Sequence, residues 1–99
     1  MTKPIILHEE ASKEFLEAED YYFQQHPSLA NEFKIEITRV IANVADRPKS
    51  YVKYLSGTRR SMADRFPYFV VFKEYRKAIL VVAVAHVRRE PGYWRERLK

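Results

Sequence analysis

The chain has 99 residues and a formal net charge of +5, and it contains no cysteine. This length suits a single domain with one modest core, so we expect one domain over residues 1–99. The lack of cysteine excludes disulfide bonds and thiolate metal sites. The longest apolar run, residues 79–85, is too short to cross a bilayer, so we expect a cytoplasmic protein that does not associate with membranes.

The charge is divided unevenly along the chain. Residues 1–46 carry nine acidic and four basic side chains, whereas residues 47–99 carry four acidic and fourteen basic ones. The two halves therefore have formal charges of −5 and +10. A basic half on a small domain indicates a polyanion or an acidic protein as partner, and a solvated surface without a specific partner is the alternative.

A short strand and two helices are predicted in the first half. Residues 3–8 are rich in isoleucine and leucine and predict the strand. Apolar residues then recur at helical spacing from about Glu9 to about Gln25, and a second apolar stripe ends near Asp46. Because Pro27 separates the two stripes, they predict an antiparallel αα-hairpin.

The second half predicts a sheet. Residues 47–56 contain proline and serine and predict a loop, and three strand candidates follow over about 57–63, 67–74 and 78–86. The last candidate is apolar on both faces, which is typical of a central strand covered on both sides. The order β-α-α-β-β-β predicts an α+β fold in which an antiparallel-rich sheet packs against the αα-hairpin. A short helical tail is expected after Pro91.

Two stretches resemble the RelE/ParE toxin superfamily. The first is Gly57-Thr58-Arg59-Arg60 followed by Arg65-Phe66-Pro67-Tyr68. The second is the closing stretch 82–97, which reads VAVAHVRREPGYWRER and is similar to the ParE-type, or plasmid-stabilisation, branch. The likeness covers nearly the whole chain, because His8-Glu9-Glu10-Ala11 and Tyr21-Tyr22 also fit the first helix of this family.

The resemblance implies one toxin domain over residues 1–99, from a type II toxin–antitoxin module. Such toxins are neutralised by a cognate antitoxin whose acidic, initially flexible segment wraps the toxin. ParE-like members poison DNA gyrase, whereas RelE-like members cleave messenger RNA in the ribosome. We therefore expect a growth inhibitor acting on gyrase, with a ribosome-dependent mRNA endonuclease as the alternative. No cofactor is expected, and because the three histidines lie on separate predicted elements, no metal site is expected either.

Metal-free RNA cleavage would need a base, an acid and a cation for the phosphate. His86 is the acid–base candidate, because imidazole titrates near neutral pH, although its place at the end of an apolar strand also suits a structural role. Arg60, Arg65 and Arg89 are candidates for binding phosphate. RelE-like nucleases carry several lysines and arginines on the sheet, whereas the lysines here lie mainly in the predicted loop and hairpin turn.

Other residues are candidates for partner contact. The candidates for contact with a protein target or nucleic acid are Arg59, Arg88, Tyr93, Trp94, Arg95 and Arg97. Tyr93 and Trp94 could stack on a splayed base, but such aromatics also suit closure of the core. Phe15 and Tyr22 on the first helix are expected to contact the antitoxin, and an extended antitoxin segment could add to the sheet edge.

Overall fold

Two helices cover one face of a five-stranded sheet in the computed structural model, which describes residues 3–99. The elements are β1 (Ile5–Leu7), α1 (Glu9–Gln25), α2 (Pro27–Asp46), β2 (Val52–Lys53), β3 (Arg59–Met62), β4 (Tyr68–Glu74) and β5 (Ile79–His86). The strand order is β1-β5-β4-β3-β2, with β1 parallel to β5 and the other pairs antiparallel. This architecture confirms the predicted α+β class with an αα-hairpin on an antiparallel-rich sheet.

The helical hairpin begins and turns at histidine caps. His8 precedes α1, and its Nδ1 accepts a hydrogen bond of 3.0 Å from the backbone N–H of Glu10. His26 alone separates the helices, and its Nδ1 accepts a hydrogen bond of 3.2 Å from the N–H of Ser28. Pro27 lacks an N–H but stands in the first turn of α2, where no intrahelical donor is required. The predicted division of the helices at Pro27 is confirmed.

The segment predicted as a loop differs from that prediction. Val52–Lys53 forms the edge strand β2 and pairs antiparallel with β3. It lies between two 3₁₀ turns, Pro48–Ser50 and Leu55–Gly57. Two residues are too few to show a strand periodicity, so the sequence pattern gave no signal for β2.

The sheet is buried on both faces around its centre. Phe33 and Val70 belong to the core between the helices and the sheet. On the opposite face, Phe69 is covered by Trp94 of the C-terminal segment. That segment ends in a 3₁₀ turn, Arg95–Leu98, in agreement with the expected short helical tail. Strand β5 is therefore covered on both sides, as its continuous apolar run predicts.

A β-bulge interrupts β5. The pairing with β4 shifts by one residue around Val82, which has no partner of its own on β4. The bulge places Val82 and Ala83 on the same face of the sheet, opposite the helices. Backbone groups beside such a bulge leave the regular ladder and need other hydrogen-bond partners.

Candidate functional site

A carboxylate on α1 fixes the C-terminal segment to the bulge. Glu14 and Arg97 form a bidentate ion pair with two hydrogen bonds of 2.9 Å. Only 14% of each side chain is exposed. The Tyr93 hydroxyl donates to Oε2 of Glu14 at 2.7 Å, and the N–H of Val84 donates to Oε1 at 3.0 Å. Glu14 therefore joins α1, β5 and the C-terminal segment.

Two backbone groups beside the bulge are bonded by this ion pair: Glu14 accepts from the N–H of Val84, and Arg97 donates to the carbonyl oxygen of Val82. Nη1 of Arg97 donates to the carbonyl oxygen of Val82 at 3.0 Å as well as to Glu14. Burial by itself lowers the pKa of Arg97, but the hydrogen bond and the negative charge of Glu14 outweigh burial and raise the pKa overall. The guanidinium is therefore committed to this internal contact as a cation.

Tyr93 is held as a neutral phenol. Burial, together with the hydrogen bond to Glu14 and the negative charge of that carboxylate, raises the pKa of Tyr93 well above its ordinary value. A group whose folded-state pKa is raised contributes stability that is present below its unfolded pKa of about 10 and is lost as the pH rises further.

We expect the Tyr93→Phe variant to lose about 1–2 kcal/mol of unfolding free energy at pH 7, because a buried carboxylate loses one donor. Above a pH of about 10, the difference in unfolding free energy between the variant and the parent should narrow. Only the parent carries this phenol, and the folded state of the parent holds it protonated, so rising pH destabilises the parent and not the variant. Urea unfolding at neutral and alkaline pH measures both effects. The exposed Tyr75, changed to Phe, serves as the control. A difference in unfolding free energy that stays constant across the alkaline range would contradict the conclusion that the fold holds Tyr93 as a neutral phenol.

A polar pocket of about 250 Å³ lies beside this ion pair. It is lined by Glu14, Glu17, Ala18, Tyr21, Tyr68, His86 and Arg89. Nδ1 of His86 accepts a hydrogen bond of 3.0 Å from the N–H of Arg88, so a neutral ring carries its proton on Nε2. The ring stands edge-on to Tyr68, with 5.1 Å between the centroids. The guanidinium of Arg89 stacks 3.8 Å from the centroid of the Tyr93 ring.

The structure brings together two of the four candidates for RNA cleavage. His86 and Arg89 both line the pocket. Arg60 lies on the opposite face of the sheet, where its guanidinium is 4.6 Å from the centroid of the Tyr54 ring. Arg65 lies between β3 and β4 and is paired with a glutamate of α2 at 3.1 Å. The four side chains therefore do not converge on one position.

Four of the six candidates for contact with a target are held within the fold. Arg59 donates from Nη1 to the carbonyl oxygen of Tyr51 at 2.7 Å. Tyr93 and Arg97 are bound to Glu14 as described. The Trp94 side chain is only 1% exposed, which agrees with a core-closing role.

The other two candidates, Arg88 and Arg95, are exposed. Nε of Arg95 donates to the hydroxyl of Ser56 at 3.1 Å, across to the turn between β2 and β3. Gly92, with φ of 82°, turns the chain between Arg88 and Arg95. Together with the exposed Arg65 and Arg89, these arginines are the cations of the candidate set that a partner could contact directly.

The two aromatic candidates for antitoxin contact are half-buried on α1. Phe15 lines an apolar cavity of about 300 Å³ with Leu7, Ser12 and Leu16. Tyr22 lies in an aromatic cluster, with its ring centroid 4.9 Å from that of Phe66, and burial raises the pKa of Tyr22. Both residues therefore have a structural role and an exposed edge.

Sequence reasoning missed two glutamates. Glu14 belongs to the stripe of α1 that also contains the buried Ala11 and Ala18. Glu36 of α2 is 3% exposed and accepts a hydrogen bond of 2.8 Å from the N–H of Arg65. A carboxylate on the buried side of an amphipathic helix requires polar partners, and this position was the signal that could have identified both.

Neither a metal site nor a membrane span is found in the part of the chain that the structure describes, residues 3–99. No group of three or more His, Asp or Glu side chains there is placed to hold a metal ion. None of the helices in this range is long and apolar enough to cross a membrane.

Comparison with known proteins relates the fold to a family. A family model described as the ParE toxin of the type II toxin–antitoxin system, parDE, matches residues 5–91. A solved structure described as the chromosomal ParDE TA system from P. aeruginosa matches with a TM-score of 0.76 and 15% sequence identity. The match covers 86% of this chain and 96% of that chain, and it shows a shared fold. A search of curated proteins found no match.

Proposed function

This chain belongs to the ParE toxin family, and on that premise we propose that it is the toxin of a type II toxin–antitoxin module acting in the cytoplasm. A cognate antitoxin holds the toxin inactive, and the free toxin inhibits growth by binding DNA gyrase. The family match over residues 5–91 supports the toxin class. The arrangement of its basic side chains supports binding as the mode of action.

The observation that favours binding over RNA cleavage is the separation of His86 from Arg60. His86 packs against Tyr68, whereas Arg60 lies 5.3 Å from the ring centroid of Phe69. Because successive side chains of a strand face opposite sides of a sheet, these contacts lie on opposite faces. Proton transfer and charge stabilisation must act on the same phosphate, which a pair divided by the sheet cannot do.

A ribosome-dependent mRNA endonuclease is the second candidate, because His86 and Arg89 share one pocket. In that function, His86 would transfer a proton and Arg89 would bind the phosphate. Removing the acid–base group would then lower the cleavage rate by about 10²–10⁴-fold.

We expect the purified chain to inhibit DNA supercoiling by gyrase, and His86→Asn and Arg60→Lys to inhibit it about as well as the parent. The asparagine side chain would keep an acceptor near the N–H of Arg88 but could not act as an acid–base group, and the lysine side chain would keep the positive charge of Arg60. A plasmid supercoiling assay measures the inhibition, and thermal unfolding confirms that both variants fold. If folded His86→Asn no longer arrests growth, and the parent cleaves mRNA but leaves gyrase unaffected, the endonuclease replaces this proposal.

Two parts of the surface suit the antitoxin in this proposal. The exposed edges of Phe15 and Tyr22 offer apolar contact on α1. Strand β2 is an edge of the sheet, and it carries the exposed Lys53, whereas Lys49 in the turn before it is paired with Glu74 at 2.9 Å. An extended acidic segment could pair with this edge through backbone hydrogen bonds, with Lys53 complementing its charge. In this proposal, the exposed side chains of Arg88, Arg89 and Arg95 would contact gyrase, or would contact gyrase and the antitoxin in turn.

A further inference from the structure

Three basic side chains surround the 3₁₀ turn Leu55–Gly57 on the face of the sheet opposite the helices. Arg60 is on β3, Lys73 is on β4 and Arg95 is in the C-terminal segment. Arg60 lies across from Val71, so Lys73, two residues further along β4, is its diagonal neighbour on the same face, about 7–8 Å away. We name these three side chains the outer-face cluster.

The turn brings two of these cations to neighbouring residues. Nε of Arg95 donates to the hydroxyl of Ser56 at 3.1 Å, and Nζ of Lys73 lies 3.7 Å from the position that a Cβ on Gly57 would take. Gly92 leaves room for the arginine, because a Cβ there would lie 2.9 Å from the guanidinium carbon of Arg95. The backbone of two separate segments therefore admits both cations to one turn.

The charge of the outer-face cluster is not balanced by a carboxylate. None of its three side chains forms an ion pair within residues 3–99. The guanidinium of Arg60 packs on the ring of Tyr54, and Arg95 is bonded to a neutral hydroxyl. Arg60 and Lys73 are half-buried, so water screens their mutual repulsion less than it would at a fully exposed site. A bound anion would relieve this repulsion.

We propose that the outer-face cluster binds the phosphate backbone of duplex DNA. Guanidinium and ammonium groups only donate hydrogen bonds, so the cluster matches a ligand that presents negatively charged acceptor oxygens at several points. A DNA strand presents one such charge for each 3.4 Å of helix axis. The identity of this DNA as the duplex held by gyrase rests on the proposed function, in which the toxin would contact the enzyme and its DNA together.

The position of the outer-face cluster favours DNA over an acidic protein segment. Arg60 and Lys73 lie on β3 and β4, and each of these strands is paired on both sides. An extended acidic segment therefore finds no free edge there at which to add a strand. A phosphate backbone needs no such edge, because it is bound by charge and by side-chain hydrogen bonds alone.

The salt dependence of DNA binding tests this inference, with fluorescence anisotropy of a short labelled duplex as the measurement. Each phosphate contact contributes about 0.9 to the slope of log K against log salt concentration, so Arg60→Gln, Lys73→Gln should flatten the slope by about 1.8 and weaken binding. The matched control Lys34→Gln, Arg47→Gln removes one lysine and one arginine from exposed positions at α2 and should leave the slope unchanged. Arg95→Gln, at an exposed position, should flatten the slope by about 0.9. Thermal unfolding confirms that each variant folds.

Two other polyanions test whether the cluster is built for DNA. A polyglutamate peptide and a single-stranded RNA are titrated against the same protein, and the duplex is expected to bind more tightly than either at equal salt concentration. Tighter binding of the peptide or the RNA overturns the inference and assigns the cluster to that class of partner. A slope that both glutamine variants leave unchanged also overturns it.

The supercoiling assay separates failure of this inference from failure of the proposed function. Arg60→Gln, Lys73→Gln should require about tenfold more toxin than the parent for half-maximal inhibition of gyrase, because the contact with DNA is lost. If the double variant inhibits gyrase as well as the parent, the inference fails and the proposed function stands. If the parent binds the duplex through the cluster but leaves gyrase unaffected, the proposed function fails and the DNA-binding site stands.

Discussion

Replacing Glu14 with alanine is expected to lower the free energy of unfolding by about 3–5 kcal/mol, because it leaves a buried guanidinium without its counter-charge. Arg97 would lose both of its 2.9 Å hydrogen bonds to the carboxylate. The Tyr93 hydroxyl and the N–H of Val84 would lose their acceptor at the same time. Since a domain of this size is stable by about 5–15 kcal/mol, we expect the variant to lose a large part of its stability and to unfold at a clearly lower temperature than the parent.

Urea unfolding at neutral pH measures this loss. Glu17→Ala is the matched control, because Glu17 lines the same pocket one turn along α1 but is exposed, and it should change the stability by no more than about 0.5 kcal/mol. The double variant Glu14→Ala, Arg97→Ala should lose less than the sum of the two single variants, because the single changes leave one partner unpaired. A loss below about 1 kcal/mol for Glu14→Ala would show that the pair behaves like an exposed ion pair.

The Trp94→Ala variant is expected to lose about 3–5 kcal/mol of unfolding free energy, because it opens a large cavity in the core opposite the helices. The indole is 1% exposed and packs with Phe69, Val71 and Ala83 on that face. Its centroid lies 5.9 Å from that of the Tyr54 ring. Losing it would uncover the outer face of β4 and β5 and release the segment that carries Arg95 and Arg97.

Trp94→Phe separates a packing role from a contact role. Phenylalanine refills much of the cavity, so this variant should keep most of the stability and should still inhibit gyrase. Chemical unfolding and the supercoiling assay measure the two properties on the same samples. A Trp94→Ala variant that stays as stable as the parent but no longer inhibits gyrase would instead assign the indole to target contact.

The elements that the sequence predicted well depend on local signals. Pro27 divides the helices because its ring and missing N–H set a boundary within the chain itself. The run over residues 79–85 is apolar on both faces, and the structure buries β5 accordingly. Strand β2 depends on pairing with β3 rather than on its own two residues, so no local pattern marks it.

The candidate site depends on contacts between distant residues, which local patterns do not contain. Glu14 and Arg97 are 83 residues apart, and their pairing follows from the bulge at Val82 and the path of the C-terminal segment. The alternation of Arg59 and Arg60 across a strand could be predicted, but which of them faces the helices depends on the register of β3 with β4. The exposure of Arg88 and Arg95 and the burial of Trp94 likewise follow from the fold of the tail.

The measurement that tests the central claim most directly is pulse-labelling of DNA and protein synthesis in cells just after this chain is induced without its antitoxin. A toxin that acts on gyrase should stop DNA synthesis first and induce a DNA-damage response, while protein synthesis continues. Co-induction of the antitoxin should restore both rates. Collapse of protein synthesis before DNA synthesis would contradict the account and assign the chain to mRNA cleavage, with His86 at the centre of the mechanism.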